Sequence, residues 1–380
     1  MLRSSFEVPQ QKTKEGLLDD IFGISWVKKC EQVRQSSPYG KVKGWRLASF
    51  IMKAGEDIRR EALVMQVISK LRNWFNEDLP MNRRPYLRPY TIMCVGGDAG
   101  MLECLPDAKS VDEIKKRIEG FTTLRDYFER AYGPPVQRRP PMQPPTSNQF
   151  TKYTGPGAPP PQLSQRNSHY SQTQTSTPYT SHPQSPPPPP PQSSVPQPQH
   201  DGITFEQAQD NFIRSLVGYS LVCYILQIKD RHNANILMDR AGHLLHIDFG
   251  FVLGDTPKMG KVPLFSERAP FKLTTEFWEV IGGWKGHGVR FCKMFEAAFE
   301  CASSHAEEIA SLVEAAVLNL TSNPVRARAQ ADGIRARLRM RGSRDSAEQK
   351  LFVMDLVNSA LTSWGTSTYD WLQKSMNGYQ

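Results

Sequence analysis

Long apolar runs are missing from this chain of 380 residues, in which 39% of the residues are hydrophobic and the mean hydropathy is -0.50. The longest apolar stretch, 212–228, is interrupted by Arg214, Ser215, Ser220 and Gln227. It is too short and too polar to span a bilayer, and it predicts a buried core helix. A polytopic membrane protein is therefore excluded, and the first residues do not have the pattern of a secretory signal peptide.

Closely paired cysteines are also missing. The six cysteines are scattered along the chain, with no CxxC motif and no short-spaced group of cysteines and histidines. This distribution argues against a disulfide-stabilised scaffold and against a structural zinc site. Cysteine usage of this kind indicates a reducing compartment, so we expect a cytoplasmic protein.

Acidic residues are absent between residues 134 and 200, where 20 of the 30 prolines are concentrated. This stretch is rich in Gln, Ser and Thr and cannot bury enough apolar surface to offset the entropy of folding, so we predict a disordered insertion over 134–201. Its four basic residues contribute about half of the net charge of +9. We interpret it as a passive spacer, and the alternative is that its PxxP sequences are ligands for SH3-like domains.

The insertion separates two parts of different character, 21–133 and 202–380, and an extension, 1–20, precedes the first part. The predicted elements of the first part are strands at 45–53, 85–95 and 101–105, a helix at 57–74 and two short helices capped by Ser110 and Thr123. The predicted elements of the second part are a helix at 204–227, strands at 236–239 and 243–248, and helices beyond 276. This pattern predicts an α+β fold with a small strand-rich lobe and a larger helical lobe.

Asp230, Asn235 and Asp248 form the most specific motif in the chain. Phosphoryl transfer requires metal ions held against the phosphates and an acceptor positioned to attack. Mg²⁺ prefers oxygen ligands, which an Asn amide and an Asp carboxylate on adjacent loops can supply. A carboxylate five residues before that Asn can accept the proton of the attacking hydroxyl. The order and spacing are those of a kinase catalytic loop followed by a DFG motif, and a surface turn with a local ion pair is the alternative.

Lys53 and Glu61 supply the cation that a nucleotide site needs and an acid to hold that cation. Lys53 ends a predicted strand, and Glu61 lies one turn into the following helix. A lone lysine at a strand end is more often solvated, but this pair lies upstream of a kinase-like loop. The stretch 37–40, which includes Ser37 and Tyr39, could cover the phosphates, although it lacks a GxGxxG motif.

With these residues in place, the chain resembles the catalytic domain of the phosphatidylinositol 3-/4-kinase family, and within it the type III beta phosphatidylinositol 4-kinases. The resemblance covers nearly all of 22–133 and 205–300. The segments that carry it are SPYGKVKGWRL (37–47), IMKAGEDIRREALVMQVI (51–68), GDAGMLE (97–103), SLVGYSLVCYILQIKDRHNANIL (215–237), HLLHIDFGF (243–251) and FKLTTEFWEVIGG (271–283).

The resemblance implies a bilobal lipid kinase fold, in which 21–133 is the N-lobe with the hinge region and 202–380 is the C-lobe. It also implies a nucleotide site for ATP with Mg²⁺ or Mn²⁺. Lys53 would contact the ATP phosphates, and Glu61 would be the matching acid of the next helix. The ATP site would be completed by a phosphate loop containing Ser37 and Tyr39 and by hinge residues Glu103 and Leu105.

The catalytic roles that the resemblance implies lie in the second part. Asn235 and Asp248 would hold the metal ion. Asp230 and His232 would share the activation of the acceptor, and the sequence leaves open which of them is the base. His246 would stabilise the transferring phosphoryl group, with a buried strand histidine as the alternative.

The segment 251–272 would be the activation loop that meets the inositol head group. Its cations are Lys258, Lys261, Arg268 and Lys272, which could instead face acidic lipid or water. Because the loop has no dense basic cluster, we expect an unphosphorylated head group. The resemblance of FKLTTEFWEVIGG (271–283) to the 4-kinases implies transfer to the 4-hydroxyl of phosphatidylinositol. The alternatives are a phosphatidylinositol 3-kinase, a related protein kinase and a catalytically inactive scaffold that binds partners through the insertion.

A run of seven arginines lies between residues 326 and 344, and aromatic residues follow it between 364 and 371. This pattern fits a surface that meets anionic lipid, and it fits equally well a packed helix with a solvated charged face. No base-reading motif indicates nucleic acid. We therefore expect a peripheral membrane protein, for which the resemblance implies the Golgi.

Overall fold

The computed structural model describes residues 14–55, 57–96, 98–135, 202–255, 258–259, 262–263, 269–338 and 346–363. Almost all of the predicted insertion, 136–201, lies outside the described residues. So do Lys261 and Arg268 of the predicted activation loop and the aromatic residues beyond 363.

The N-terminal part consists of helices around a small antiparallel sheet. Its elements are α1 (Lys14–Phe22), α2 (Trp26–Ser36), β1 (Phe50–Ala54), α3 (Arg59–Asp78), a 3₁₀ turn (Met81–Arg83), β2 (Ile92–Cys94) and β3 (Ala99–Glu103). The strand order is β1-β3-β2, so that the sequence-distant β1 and β2 flank β3. Met101 of β3 pairs with Met52 on one side and with Met93 on the other.

Two predicted strands are shorter than expected. The strand predicted at 45–53 begins only at Phe50, because Phe50 is the first residue with a partner on β3, at Glu103. The strand predicted at 85–95 is reduced to β2, which follows both Pro85 and Pro89. Proline has no N–H to donate to a sheet, so pairing begins after both prolines.

Helix α3 confirms the prediction of a helix after Asp57 and extends it to Asp78. Its apolar side chains recur on one face, which packs against the C-terminal helices. The fully buried members of that face include Val64, Val67, Ile68 and Leu71.

A connecting region joins the sheet to the insertion. It contains β4 (Ala108–Ser110), α4 (Val111–Arg117) and α5 (Leu124–Tyr132). The side chains of Ser110 and Thr123 accept hydrogen bonds from the backbone N–H groups of Glu113 and Asp126, so both predicted N-caps are confirmed. Gly133, at φ 96°, ends α5 in a conformation that favours glycine.

The C-terminal part is largely helical. Its elements are α6 (Phe205–Leu226), β5 (Ile236–Asp239), β6 (Leu244–His246), β7 (Lys258–Met259), β8 (Val262–Pro263), α7 (Thr275–Val280), α8 (Gly288–Ser304), α9 (Ala306–Thr321), α10 (Pro324–Leu338) and α11 (Ser346–Thr362). Strands β4, β5 and β6 form a second antiparallel sheet in that order. The predicted bilobal α+β architecture is confirmed, and no helix within the described ranges is long and apolar enough to cross a membrane.

Helix α6 is the central element of the core. Thr204 and Gln207 form a reciprocal capping box at its start, and Gln227 ends it in the left-handed conformation. Its Phe212 makes edge-to-face contacts with Phe128 at 5.4 Å and with Phe277 at 5.6 Å between ring centroids. The buried helix predicted from 212–228 is thereby confirmed, and it carries the loop that follows it.

The described arginines of α10 contact the protein itself. Arg335 pairs with Glu307 and Asp332, and Arg326 pairs with Asp255. The guanidinium of Arg337 donates to the carbonyl oxygen of Ile225 at 2.7 Å. These contacts favour the packed-helix interpretation for this part of the run, whereas 339–344 lies outside the described residues.

Candidate active site

Lys53 and Glu61 lie side by side where β1 leads into α3. The Lys53 Nζ is 3.6 Å from Oε2 of Glu61, and Gly55, at φ 81°, makes the turn between strand and helix. Glu61 is buried, and the Tyr90 hydroxyl donates a hydrogen bond to its Oε1. Burial, reinforced by the negative charge of Glu61, raises the pKa of Tyr90, so the hydroxyl stays a donor. The predicted pair is thus held in a fixed geometry by a third residue that sequence reasoning missed.

Asp248, from the C-terminal part of the chain, lies beside the same lysine. Its Oδ1 lies 3.7 Å from the Nζ of Lys53, which therefore stands between two carboxylates. The Asp248 side chain is 49% exposed, whereas that of Glu61 is 5% exposed. The buried carboxylate is suited to holding the lysine, and the open carboxylate is suited to a cation that enters from solvent.

Asp230 and Asp248 both have a backbone conformation that non-glycine residues seldom adopt. Their φ angles are 66° and 58°, in the left-handed region. Such conformations persist only where the surroundings enforce them, and they cluster at functional sites.

Asn235 is anchored to the loop that contains Asp230. Its Nδ2 donates to the Asp230 carbonyl oxygen at 3.0 Å, and its backbone carbonyl oxygen accepts from the N–H of Ile247 at 3.1 Å. Because the amide nitrogen is used in this way, Oδ1 is the side-chain atom suited to a cation. A carboxylate and an amide oxygen are ligands that suit a hard divalent ion, so the donor set at Asn235 and Asp248 fits one.

His232 has a defined tautomer in this loop. Its Nδ1 accepts a hydrogen bond from the N–H of Ala234 at 3.2 Å, so the proton of the neutral ring is on Nε2. Nε2 lies 3.9 Å from Oδ2 of Asp230. The two side chains predicted to share acceptor activation are therefore neighbours.

Arg231, the residue that follows Asp230, fixes the geometry of the site. Its guanidinium donates to the carbonyl oxygens of Lys229 at 3.1 Å and Ile247 at 2.7 Å, and also to that of Asp248. The cation lies 5.2 Å from the ring centroid of buried Phe249. The position of Arg231 inside the sequence DRHN indicates that it belongs to the site. The sequence does not reveal that its side chain turns toward the backbone carbonyl oxygens.

His246 lies in the interior of the second sheet. It is 3% exposed, its ring stacks on Tyr219 at 4.8 Å, and its Nδ1 is 3.6 Å from the Cys223 sulfur. Burial, followed by the positive charges of Arg231 and Lys272, lowers its pKa well below the usual range. This environment favours the buried strand histidine, and the role in phosphoryl transfer stays a prediction.

Of the four cations predicted in the activation loop, Lys272 is the one whose side chain the structure describes. Lys272 is 6% exposed, and its Nζ donates to Oδ1 of Asn233 at 3.0 Å. It therefore braces the loop of Asp230 from within the protein. Lys258 has a described backbone, in the hairpin of β7 and β8.

The predicted adenine and phosphate segments are both ordered by local contacts. The Oε2 of Glu103 accepts from the N–H of Thr91 at 2.9 Å, and Leu105, two residues beyond the end of β3, is buried. The Ser37 hydroxyl accepts from the N–H of Tyr39 at 3.2 Å in a tight turn that leaves Tyr39 69% exposed. The roles of these residues toward a nucleotide stay predictions.

The sequence pattern of the family described as "Phosphatidylinositol 3- and 4-kinase" matches residues 48–322, which include Lys53, Glu61 and the 230–248 region. This chain belongs to the phosphatidylinositol 3- and 4-kinase family. The family membership predicted from the sequence is therefore confirmed.

The chain is similar to several curated phosphatidylinositol 4-kinases. It is 32% identical over 94% of its length to a phosphatidylinositol 4-kinase of Dictyostelium discoideum. It is 33% identical over 96% of its length to phosphatidylinositol 4-kinase beta 1 of Arabidopsis thaliana and 30% identical over 93% to phosphatidylinositol 4-kinase beta of Rattus norvegicus. The matched regions cover 24%, 26% and 34% of these relatives, so the chain spans about a quarter to a third of their length.

Proposed function

We propose that this chain transfers the γ-phosphate of ATP to the 4-hydroxyl of phosphatidylinositol and so forms phosphatidylinositol 4-phosphate. The observation that carries the proposal is the convergence of Lys53, Glu61 and Asp248 in a member of a lipid kinase family. The relatives named above are 4-kinases, which supports the 4-hydroxyl over the 3-hydroxyl as acceptor.

The residues have separate roles in this proposal. Lys53 binds the ATP phosphates, and Glu61, fixed by Tyr90, holds the lysine in place. Asn235 and Asp248 hold a divalent ion, Mg²⁺ or Mn²⁺, which when bound neutralises charge on the phosphate oxygens. Positive charge from Lys53 in a fixed position stabilises negative charge on those oxygens without reorganisation during the reaction.

Asp230 and His232 act on the acceptor. The proton of the inositol hydroxyl passes to a carboxylate oxygen of Asp230. His232, whose ring proton is on Nε2, lies beside that carboxylate at 3.9 Å and presents a donor to the acceptor region. Arg231 fixes the position of this loop relative to the backbone of Asp248, because it donates to carbonyl oxygens on both.

The proposed enzyme works at a membrane surface and binds partner proteins. Its lipid substrate lies in an anionic membrane, so we propose peripheral membrane association, at the Golgi by resemblance to the family. We also propose adaptor proteins with SH3-like domains as ligands of the PxxP sequences between 134 and 201.

The test is incorporation of labelled γ-phosphate into phosphatidylinositol vesicles, with the ring position of the product resolved. We expect label at the 4-position and a fall in kcat/KM of at least about 100-fold in Lys53→Met and in Asp248→Ala. Lys293→Met, which changes an exposed lysine on α8, is the matched control and should keep the activity.

Three outcomes would overturn parts of this proposal. Label at the 3-position would make the protein a 3-kinase. Retained activity in both active-site variants would show that the assigned site is wrong. Absence of label with well-folded protein that does not bind ATP would favour the scaffold alternative.

A further inference from the structure

Asp78, Cys301 and His305 meet at the end of α3 that is remote from Lys53. Asp78 is the last residue of α3, Cys301 lies in the last turn of α8, and His305 lies at the junction of α8 and α9. The Asp78 Oδ2 is 3.2 Å from Nε2 of His305 and 3.6 Å from the Cys301 sulfur. One ligand atom from each residue lies within 4.8 Å of the other two.

These distances fit the edges of a tetrahedral metal site. Zinc binds sulfur at about 2.3 Å and nitrogen or carboxylate oxygen at about 2.0–2.1 Å. Tetrahedral angles then place sulfur about 3.6 Å from oxygen and nitrogen about 3.3 Å from oxygen. The observed separations, 3.6 Å and 3.2 Å, differ little from these values.

His305 is also oriented in the way that metal-binding histidines usually are. Its Nδ1 lies 3.0 Å from Oε1 of Glu308, while Nε2 lies 3.2 Å from Oδ2 of Asp78. A carboxylate on the second ring nitrogen fixes the tautomer that presents Nε2 to a metal. The ring of Trp74 stacks on His305 at 4.1 Å with an interplanar angle of 4°, which fixes the plane of the imidazole.

We propose that Asp78, Cys301 and His305 bind a divalent transition-metal ion of the zinc type, with water as the fourth ligand. The mixed thiolate, imidazole and carboxylate set suits such an ion and does not suit Mg²⁺ or Ca²⁺. Binding releases the Cys301 thiol proton to the buffer as the metal–sulfur bond forms. The side chains of His305 and Asp78 are 23% and 48% exposed, so an ion can enter from solvent.

The proposed site revises the expectation, drawn from cysteine spacing, that the chain has no structural zinc site. Cys301 and His305 are only four residues apart, but the third ligand comes from a helix more than two hundred residues earlier. Such a site would join the end of α3 directly to the junction of α8 and α9. The competing interpretation is a hydrogen-bonded cluster in which the thiol donates to Asp78.

The test is titration of the purified full chain with Co²⁺ in an excess of Mg²⁺, which occupies oxygen-rich sites. We expect one equivalent of Co²⁺ to produce thiolate-to-cobalt charge-transfer absorption together with the visible bands of a tetrahedral site, and Zn²⁺ to abolish both. Cys301→Ser should remove the charge-transfer absorption, and Asp78→Asn should weaken binding at least about tenfold. Cys292→Ser is the matched control, because this buried cysteine lies on α8 outside the cluster.

The wild-type spectrum keeps the proposal falsifiable even where a variant does not fold. Absence of charge-transfer absorption in the wild type would overturn the proposal and leave the hydrogen-bonded cluster. Absorption that persists in Cys301→Ser, or that disappears equally in Cys292→Ser, would also overturn it.

Discussion

Replacement of Arg231 by lysine tests how the two loops of the site are held together. The guanidinium donates to three backbone carbonyl oxygens, those of Lys229, Ile247 and Asp248. A lysine ammonium is a compact charge that cannot reproduce this planar set of donors, and we expect it to keep one of the three bonds. A hydrogen bond to a charged group contributes about 1.5–3 kcal/mol, so two lost bonds amount to about 3–6 kcal/mol.

This loss is a large part of the total stability of about 5–15 kcal/mol that is typical of folded proteins. We expect Arg231→Lys to lower the free energy of unfolding in urea accordingly. We also expect it to lower kcat at least about tenfold with a smaller effect on KM for ATP, because the backbone of Asp248 is no longer fixed.

Arg328→Lys is the matched control for this measurement. Arg328 is 64% exposed and pairs with Glu314 and Asp332 at 3.6 and 3.7 Å. Exposed pairs of this kind contribute about 0–1 kcal/mol, so stability and kcat should change little. An Arg231→Lys variant that is as stable and as active as the control would refute the assigned role of the guanidinium.

Two further predictions concern the packing around the site. Asp255→Asn removes the carboxylate that Arg60 and Arg326 contact at 2.6 and 3.3 Å. Because these groups are partly exposed, we expect a loss of about 1 kcal/mol in the free energy of unfolding in urea, and unchanged stability would contradict this reasoning. Gly218→Ala places a Cβ 2.6 Å from the carbonyl oxygen of Tyr86. We therefore expect thermal unfolding to show a free energy of unfolding that is lower by about 1–3 kcal/mol. An unchanged Tm would show that α6 can shift without cost.

The elements that the sequence predicts well are those decided by local chemistry. The caps at Ser110 and Thr123 and the capping box at Thr204 depend on residues three positions apart, and all three are present. The convergence of Lys53 with Asp248 was predictable only through the family resemblance, because the two residues lie on opposite sides of the insertion.

The features that the sequence predicts poorly are those decided by tertiary contacts. The start of β1 depends on where β3 provides a partner, which the alternation of residues from 45 onward does not reveal. Lys272 looks like a surface cation in sequence, yet its ammonium is satisfied by the Asn233 side chain inside the protein. The direction of a long side chain is fixed by neighbours that are distant in sequence. For this reason the sequence does not predict that Arg231 binds the backbone of Ile247 and Asp248.

Helix α3 links two distant groups of contacts in this protein. Glu61 in its first turn contacts Lys53, and Asp78 in its last turn contacts His305. At 1.5 Å per residue these two carboxylates are about 26 Å apart on one continuous helix. Because a helix with one buried face moves as a rod, a tilt imposed at the Asp78 end would displace Glu61 and loosen its hold on Lys53. A displacement at the Asp78 end would thereby be transmitted to Lys53, the proposed ligand of the ATP phosphates.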